Sequence, residues 1–489
     1  MDSKVKTPGM MLVVLAVALS GGAFYLSDGL NPSWWAIWLA PLPILWIAPQ
    51  ISWRGTGVAA LAAQVMGELS SWNYHRILGL PLWLRLELLL VPAIVFVLAV
   101  LLFRAFFRRR KVWLAVTAFP VVIVSYEYLT SLAFGTFGDT AYMQLRNLPV
   151  LQLGALAGPW GIGFVVMLFP AMIAALILSQ ADSRRPLVIA LAIVFGCVFA
   201  YGGYRLYATP PAPNSIVVGL ADSDLKKNLL PQDDPSAMRL MRDYGEQVKE
   251  LAQSGAQVIV LPEMTAIVRD SISRDVDTLF EEAARSANVQ IVLGVLHVTG
   301  NAAFNEARLY SATGELETVY RKHHLVPVVE GSTTPGTDIS VLPQPIGKVG
   351  LEICRDMDYP NPARRYGRKD VGLLLVPAWD FDVDRLWHGH MAILRGVEDG
   401  FTIVRAAKQG FLTVSDDRGR VLAEARTTPQ EPFTTLVAQV PVRHDPTLYQ
   451  RWGDWFAWVN LAALAGLCVS LAAGGRARQE AARAADAVS

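Results

Sequence analysis

Eight stretches of the chain are each long enough and apolar enough to cross a lipid bilayer as a helix. A hydrocarbon core about 30 Å thick needs about 20 apolar residues in a helix. Backbone groups inside that core must satisfy their hydrogen bonds internally, so such stretches are predicted to form a membrane-embedded helical bundle. The runs lie near residues 9–27, 34–51, 55–72, 83–105, 112–133, 158–179, 186–207 and 454–474.

A polar segment separates the seventh run from the eighth. It spans about 214–445 and carries most of the acidic and basic residues, although charged residues make up only 17% of the whole chain. Ordinary soluble domains average roughly 25%. The predicted organisation is a seven-helix membrane domain over 1–212, a water-soluble domain over 213–446, and a membrane helix with its tail over 447–489.

The charge balance excludes one class of partner. The formal net charge is +1, whereas a protein that binds nucleic acid needs a dense basic face. No nucleic-acid partner is therefore expected.

The basic residues of the short loops predict an orientation, because cytoplasmic loops retain Lys and Arg. With both termini in the cytoplasm and eight crossings, the soluble domain falls on the outer side of the membrane. Three residues between the third and fourth runs, His75, Arg76 and Arg85, oppose this arrangement but are outnumbered. The supporting residues are Lys4, Lys6, Arg54, the run RAFFRRRK at 104–111, Arg184, Arg185, Arg476 and Arg478.

The soluble segment alternates short β-rich runs with helical ones. The runs are apolar almost throughout, which is typical of strands covered on both faces. Helical patterns occupy 237–253 and 275–287, and residues 306–322 predict a hairpin that turns at 312–314. A layered α/β domain follows. The predicted strands are SIVVGLA (215–221), QVIVLPE (257–263), VQIVLGVLH (289–297), KVGLEIC (348–354), VGLLLVPAW (371–379), FTIVRAA (401–407) and GFLTVSD (410–416).

Three reactive residues stand at the ends of predicted strands: Glu263, Lys322 and Cys354. Strand ends are where α/β sheets place catalytic groups. A thiolate attacks an acyl carbonyl, a carboxylate can take the thiol proton, and an ammonium can stabilise the oxyanion. The other two cysteines, Cys197 and Cys468, lie in apolar runs, so Cys354 is the candidate nucleophile.

The sequence motifs around these residues resemble those of the nitrilase superfamily of carbon-nitrogen hydrolases and acyltransferases. They are VLPE at 260–263, YRKHHLVP at 320–327 and GLEICRDMDYP at 350–360. Eight spans with such a domain inserted before the last resemble the plan of apolipoprotein N-acyltransferases, and LPVLQLGALAGPWGIGFVV at 148–166 is similar to that family's membrane part. The resemblance implies a polytopic α-helical bundle of eight spans joined to an αββα sandwich.

The resemblance also implies a role for each matched residue. Cys354 would be the acyl-accepting nucleophile, Glu263 the general base and Lys322 the oxyanion stabiliser. Three further positions would support them: Glu330 as a second essential glutamate, Trp379 beside the lipid-binding cleft, and Arg355 through its backbone N–H as a second oxyanion donor.

The implied reaction is a two-step transfer through a Cys thioester. A phospholipid of the bacterial inner membrane would donate a fatty acyl chain, and the N-terminal amine of a diacylglyceryl-cysteine apolipoprotein would accept it. The soluble domain would lie on the periplasmic side. No cofactor and no metal are expected, and the chain is expected to act as a monomer.

Several residues depart from the family pattern. Arg355 follows the nucleophile where an aromatic residue is usual, Asp356 fills the acidic position after it, Pro377 stands where Asn is common, and Val328-Val329 replaces Phe-Gly. The alternative function is accordingly a membrane-tethered amidase, or an acyltransferase with a different amine acceptor. A non-catalytic scaffold is a third hypothesis, which predicts loss of at least one triad residue.

Two other features have more than one interpretation. Glu127 lies within the fifth run, where it either forms a structural pair inside the bundle or acts near the lipid. His323 and His324 adjoin Lys322, but neighbouring residues on a strand point to opposite faces, so no metal site is predicted there.

Overall fold

The computed structural model describes residues 8–208, 214–224 and 235–486. The chain divides into two compact units. The first contains residues 1–153, 157–202 and 454–489, and the second contains residues 154–156 and 203–453. The predicted boundary between residues 212 and 213 falls outside the described residues and stays a prediction.

The helices are numbered here in chain order. They are α1 (Met10–Ser27), α2 (Leu42–Ile47), α3 (Trp53–Glu68), α4 (Trp72–Ile77), α5 (Leu82–Arg108), α6 (Val112–Phe134), α7 (Leu148–Leu151), α8 (Gly154–Leu178), α9 (Ala181–Tyr207), α10 (Pro235–Gln253), α11 (Asp270–Ala287), α12 (Pro327–Glu330), α13 (Ala363–Gly367), α14 (Arg385–Asp399), α15 (Leu448–Trp452) and α16 (Trp455–Asp486).

Within the described ranges, six helices are long and apolar enough to cross a membrane. They are α1, α5, α6, α8, α9 and the part of α16 that ends at Ala473, and they coincide with six of the eight predicted runs. The prediction of several membrane-spanning helices is confirmed.

The other two predicted runs fold differently. Run 34–51 contains Pro41, Pro43 and Pro49 and forms a series of turns, a short helix and a 3₁₀ turn. Proline lacks the N–H that a continuous helix needs and clashes with the preceding turn. Helix α3 has 16 residues, which at 1.5 Å per residue gives about 24 Å. The count of eight crossings therefore stays a prediction.

Polar and aromatic contacts join three helices of the first unit. The indole of Trp458 in α16 donates to the Tyr128 hydroxyl in α6 at 2.9 Å. The indole of Trp160 in α8 donates to the Asp454 carboxylate at 3.0 Å, and its ring meets Tyr128 edge to face. The last helix is thus fixed to α6 and α8 by directional contacts as well as by packing.

Glu127 has partners inside the first unit. Its Oε1 accepts hydrogen bonds from the Thr140 backbone N–H at 2.9 Å and from the Thr140 hydroxyl at 2.6 Å. A buried carboxylate in this setting needs such donors. The contacts favour the structural interpretation of Glu127.

The strands all belong to the second unit and form two sheets. The first sheet runs in the order β13-β1-β2-β4-β5-β6, with β3 also paired to β4, and the second in the order β12-β11-β10-β9-β8-β7. The strands are β1 (Asn214–Asp222), β2 (Val258–Val260), β3 (Ile267–Arg269), β4 (Gln290–Thr299), β5 (Ala302–Tyr310), β6 (Leu316–Arg321), β7 (Val341–Gln344), β8 (Gly347–Leu351), β9 (Val371–Trp379), β10 (Thr402–Lys408), β11 (Phe411–Ser415), β12 (Val421–Arg426) and β13 (Thr434–Val442).

Apolar residues pack between the two sheets and on both outer faces. Val218 and Val260 of the first sheet meet Leu375 and Val404 of the second in the inner core. Helices α10 and α11 cover the outer face of the first sheet, and α13 and α14 cover that of the second. The result is the predicted αββα layering.

Strand prediction succeeded where runs are apolar and failed where they are amphipathic or short. All seven predicted strands and the hairpin are present, and β9 matches residue for residue. Four strands were not predicted: β3, β7, β12 and β13. Alternating exposure along β12 and β13 explains the omission, since each shows only every second residue to the core.

Gly294 in β4 lies against the loop that carries Glu263. A Cβ at Gly294 would come within 2.3 Å of the Pro262 oxygen and 2.7 Å of the Glu263 Cα. The Gly294→Ala change is therefore expected to push this loop away from β4 and to lower the free energy of unfolding by about 1–3 kcal/mol. The midpoint of thermal unfolding in detergent measures this loss.

The matched control is Gly245→Ala in α10, where the nearest atom is 3.9 Å from an added Cβ. Alanine is favoured over glycine inside a helix by about 0.5–1 kcal/mol, so this change is expected to raise the midpoint slightly. A Gly294→Ala protein as stable as the wild type would contradict the close approach.

Candidate active site

Polar side chains line one edge of the space between the two sheets. Parallel neighbours, such as β1 with β2 and β8 with β9, bring their carboxyl ends to the same edge. Because strand side chains alternate between faces, the residues that follow the inner-core positions at this edge also point between the sheets. They are Asp222 after Leu220, Lys322 after Tyr320, Asn305 before Ala307, Lys408 after Ala406, and Trp379, four residues after Leu375.

The Lys322 ammonium lies between two carboxylates. Its Nζ is 2.8 Å from Glu263 Oε1 and 2.8 Å from Glu330 Oε2. All three side chains are buried. Three of the predicted site residues are therefore in direct contact.

Asn305 connects the same two carboxylates from the other side. Its Nδ2 donates to Glu263 Oε1 and to Glu330 Oε1, both at 2.6 Å. Its backbone oxygen accepts from the Lys322 N–H at 2.9 Å. The sequence analysis assigned Asn305 no role, and no spacing rule indicates one, because these contacts link residues distant in the chain.

The charges around this group shift its acidities. Burial raises the pKa of Glu263, the Lys322 charge opposes that rise, and the Glu330 charge adds to it, so the net shift is upward. Burial alone would lower the pKa of Lys322, but the charges of Glu263 and Glu330 raise it above its usual value. Lys322 is therefore a permanent cation, and Glu263 is a stronger base than a solvated carboxylate.

Cys354 begins a 3₁₀ turn (Cys354–Asp358) directly beyond β8, and its φ of 44° lies in the left-handed region. Such strain in a non-glycine residue is a feature of functional sites. The Sγ–H donates to the Trp379 carbonyl oxygen at 3.5 Å. Burial and the Glu263 charge raise the pKa of the thiol well above its usual value, against Lys322 and Arg405. The resting sulfur is a thiol.

Among the described residues, the side chain of Arg355 is hydrogen-bonded, whereas its backbone N–H is not. The guanidinium donates to the Leu325 oxygen and to the Tyr359 hydroxyl. No acceptor in the described part of the chain receives the Arg355 backbone N–H. That N–H, beside the sulfur, is available to an added group.

Trp379 ends β9 with its ring fixed on two sides. The indole N–H donates to Gln409 Oε1 at 3.2 Å. The Lys408 Nζ lies 4.5 Å from the ring centroid. The Trp379 side chain thus lies at the same edge as the Cys354 sulfur, which is hydrogen-bonded to the Trp379 backbone carbonyl.

The Asp356 carboxylate ties the nucleophile turn to the segment that carries Lys322. It accepts the backbone N–H of His323 at 3.1 Å and of His324 at 2.8 Å, and also the Tyr320 hydroxyl at 2.7 Å. His324 Nδ1 lies 3.1 Å from it as well. The acidic residue therefore orients both elements, and the two histidines serve this contact.

A second charged group lies behind the turn. The Arg405 guanidinium pairs with both oxygens of Asp380, and both side chains are buried. His388 Nε2 in α14 is 3.3 Å from Asp384 Oδ2. Burial lowers the pKa of His388, but the charges of Asp384, Asp358 and Asp380 outweigh it and raise the pKa to about 9. Asp358 belongs to the nucleophile turn, so a charged His388 attracts that turn towards α14.

The raised pKa of His388 predicts a loss of stability in alkali. The stability that the charged His388 contributes is complete below its unfolded pKa near 6.5. It disappears as the pH rises through the folded pKa of about 9. Between pH 7 and pH 10 the wild type is expected to lose roughly 2–3 kcal/mol more than His388→Asn. Thermal unfolding midpoints of both proteins across this range measure the difference. Parallel losses would show that His388 carries no such charge interaction.

Two family models match the chain. The model described as Apolipoprotein N-acyltransferase N-terminal domain matches residues 20–172, and the model described as Carbon-nitrogen hydrolase matches residues 231–444. The first match covers helices of the first unit, and the second covers the strands from β2 to β13 and every site residue from Glu263 to Lys408.

Apolipoprotein N-acyltransferases of several bacteria are similar to the chain over most of its length. An apolipoprotein N-acyltransferase of Geobacter metallireducens is 27% identical over 400 residues, covering 71% of this chain and 72% of the relative. That of Pasteurella multocida is 26% identical and covers 78% and 79%. That of Coxiella burnetii is 25% identical and covers 85% and 89%.

Among solved structures, an amidase from a Nesterenkonia species is 20% identical. The match covers 52% of this chain and 98% of the amidase, with a TM-score of 0.42.

Proposed function

The chain belongs to the apolipoprotein N-acyltransferase family of the carbon-nitrogen hydrolase superfamily, and from the geometry at Cys354 we propose how it acts. It moves a fatty acyl chain from a membrane phospholipid to the N-terminal amine of a diacylglyceryl-cysteine lipoprotein. The observation that carries the proposal is the buried Lys322 ammonium between Glu263 and Glu330, at the sheet edge where Cys354 lies. A base and a fixed cation beside a thiol are what acyl transfer requires.

The first half-reaction loads the enzyme. The Glu263 carboxylate takes the proton from the Cys354 thiol, and the sulfur attacks the ester carbonyl of the phospholipid. The developing oxyanion is held by the Lys322 ammonium and the Arg355 backbone N–H. The C–O ester bond then breaks, the proton passes from Glu263 to the leaving glycerol oxygen, and lysophospholipid departs.

The second half-reaction unloads it. The uncharged acceptor amine attacks the thioester carbonyl, and the same two donors hold the oxyanion. Glu263 takes a proton from the nitrogen and returns it to the sulfur as the C–S bond breaks. The products are an N-acylated lipoprotein and the free thiol.

The supporting residues have distinct parts in this scheme. Glu330 and Asn305 hold Lys322 and Glu263 in place through the hydrogen bonds described above. Trp379 borders the acyl chain beside the sulfur. One chain supplies every one of these groups, in keeping with a monomeric enzyme.

Incubation with phosphatidylethanolamine and no acceptor tests the donor step. The wild type is expected to gain the mass of one fatty acyl chain, labile to hydroxylamine, while Cys354→Ala gains nothing because it lacks the nucleophile. Intact-mass analysis of detergent-purified protein, together with assay of lysophospholipid, measures both products.

The matched controls are Cys197→Ala and Cys468→Ala, whose thiols are exposed on the helices α9 and α16. Both are expected to load like the wild type. Absence of both adduct and lysophospholipid from the wild type would overturn the phospholipid donor and favour the amidase alternative. A thioester that only water resolves would instead overturn the lipoprotein acceptor.

We further propose eight membrane crossings in the bacterial inner membrane, with residues 213–446 on the periplasmic side. The basic run at 104–111, which ends α5 and leads to α6, and Arg184-Arg185, near the start of α9, support this orientation. Lys4 and Lys6 of the same argument lie outside the described residues.

Cysteine labelling tests the orientation. In a variant without the native cysteines, Glu246→Cys on α10 and Arg108→Cys at the end of α5 each supply one exposed thiol. A membrane-impermeant maleimide added to intact spheroplasts is expected to label the first, and the second only after permeabilisation. The reverse pattern would contradict the proposed topology.

A further inference from the structure

Lys408 is a buried amine at the edge of the active site that the scheme above leaves unused. It ends β10 and continues the inner face of Val404 and Ala406, in register with Trp379 of β9. Its side chain is 2% exposed, and its Nζ lies over the Trp379 ring at 4.5 Å. It therefore borders the residue whose carbonyl receives the Cys354 thiol.

The hydrogen-bonding capacity of Lys408 is largely unspent. Among the described residues, Nζ has a single acceptor, the Met264 backbone oxygen at 3.4 Å, and Met264 directly follows Glu263. A buried amine normally satisfies more of its polar capacity. The Nζ therefore keeps donor capacity for a further polar partner.

Asp222 in the opposite sheet is also a buried polar group with incomplete hydrogen bonding. It continues the inner face of Val218 and Leu220, is 1% exposed, and its Oδ2 has no partner in the portion of the chain that the structure describes. Two incompletely bonded groups of opposite type, Asp222 and Lys408, thus approach the same edge from the two sheets.

The surroundings weaken the affinity of Lys408 for its proton. Burial lowers the pKa of Lys408 below its usual value, and the charges of Asp222, Asp224 and Glu263 only partly oppose it. Burial and the Asp224 charge raise the pKa of Asp222 well above its usual value, against Lys408. The pocket therefore makes loss of the Lys408 proton easier than it is in solvent.

Proton counting shows why a second base is needed. An α-amine has a pKa of about 7.7–8.0, so the acceptor arrives largely as an ammonium at neutral pH. Forming the amide releases two protons from that nitrogen. Glu263 carries one to the sulfur, and the other requires an acceptor.

We propose that Lys408 is this second base, and that it takes the first proton from the acceptor ammonium before attack on the thioester; the inference rests on the proposed function. The N–H bond of the ammonium breaks and its proton joins the Lys408 nitrogen, which changes R–NH₃⁺ and Lys–NH₂ into R–NH₂ and Lys–NH₃⁺. The amine then attacks, Glu263 moves the second proton to sulfur, and Lys408 returns its proton to solvent.

Single-turnover transfer tests the proposal. Wild type and Lys408→Met are loaded with acyl chain to matched thioester occupancy, and a diacylglyceryl-cysteine peptide is then added at pH 7. Lys408→Met is expected to transfer about 6- to 11-fold more slowly, because only about a tenth to a sixth of an amine with a pKa of about 7.7–8.0 is uncharged at pH 7. Its rate is expected to recover towards the wild type as the pH rises through the pKa of the free amine.

Two further measurements separate proton transfer from structural damage. Hydroxylamine is uncharged at neutral pH and needs no base, so it is expected to cleave both thioesters at equal rates. Lys408→Arg keeps a cation that cannot take a proton near neutral pH, and it is expected to be as slow as Lys408→Met. Lys249→Met, at an exposed ion pair on α10, is the control that should transfer like the wild type.

Each contrary result identifies its own cause. Normal transfer by Lys408→Met, or by Lys408→Arg, would overturn the assignment of Lys408 as a base. Slow transfer that neither high pH nor hydroxylamine rescues would assign Lys408 a structural role instead. Failure of the wild type to form any thioester would overturn the proposed function itself, and this inference with it.

Discussion

Two carboxylates, that of Glu263 in the loop after β2 and that of Glu330 at the end of the short helix α12, are buried against one ammonium group, that of Lys322. Each buried carboxylate would cost several kcal/mol without a partner. The cation therefore determines where both carboxylates lie, and Asn305 of β5 links the same two carboxylates by hydrogen bonds. The rest of the site follows, because the Glu263 backbone N–H donates to Ala378 of β9 and so connects this group to the second sheet.

The parts of the fold that the sequence predicts are those with local patterns. Apolar runs identified seven strands, and the short motifs around Glu263, Lys322 and Cys354 predicted a triad, of which Glu263 and Lys322 lie in contact. Asn305, Asp356 and His388 escaped a physical assignment, because Asn305 and Asp356 bond to partners 25 to 42 positions away and His388 also interacts with Asp358 and Asp380 of other segments. Burial and pairing of this kind have no period along the chain.

Hydropathy also predicts only some of the helices of the first unit. It located α1, α5, α6, α8, α9 and α16, whose apolar runs are continuous enough to form long helices. The run at 34–51 is as apolar, yet three prolines divide it into turns. Composition predicts the solvent that a segment prefers, whereas the placement of prolines decides whether the segment is one helix.

The groups proposed to react come from both sheets: Glu263 and Lys322 follow strands of the first, and Cys354 follows β8 of the second. Their relative positions therefore depend on how the two sheets are aligned. The apolar core that contains Val260 and Leu375 holds that alignment. A shift of one sheet against the other by a fraction of an ångström would change the distance between the proposed base Glu263 and the proposed nucleophile Cys354 while leaving each sheet intact. The densely packed apolar core between the sheets therefore sets the spacing between groups that belong to different sheets.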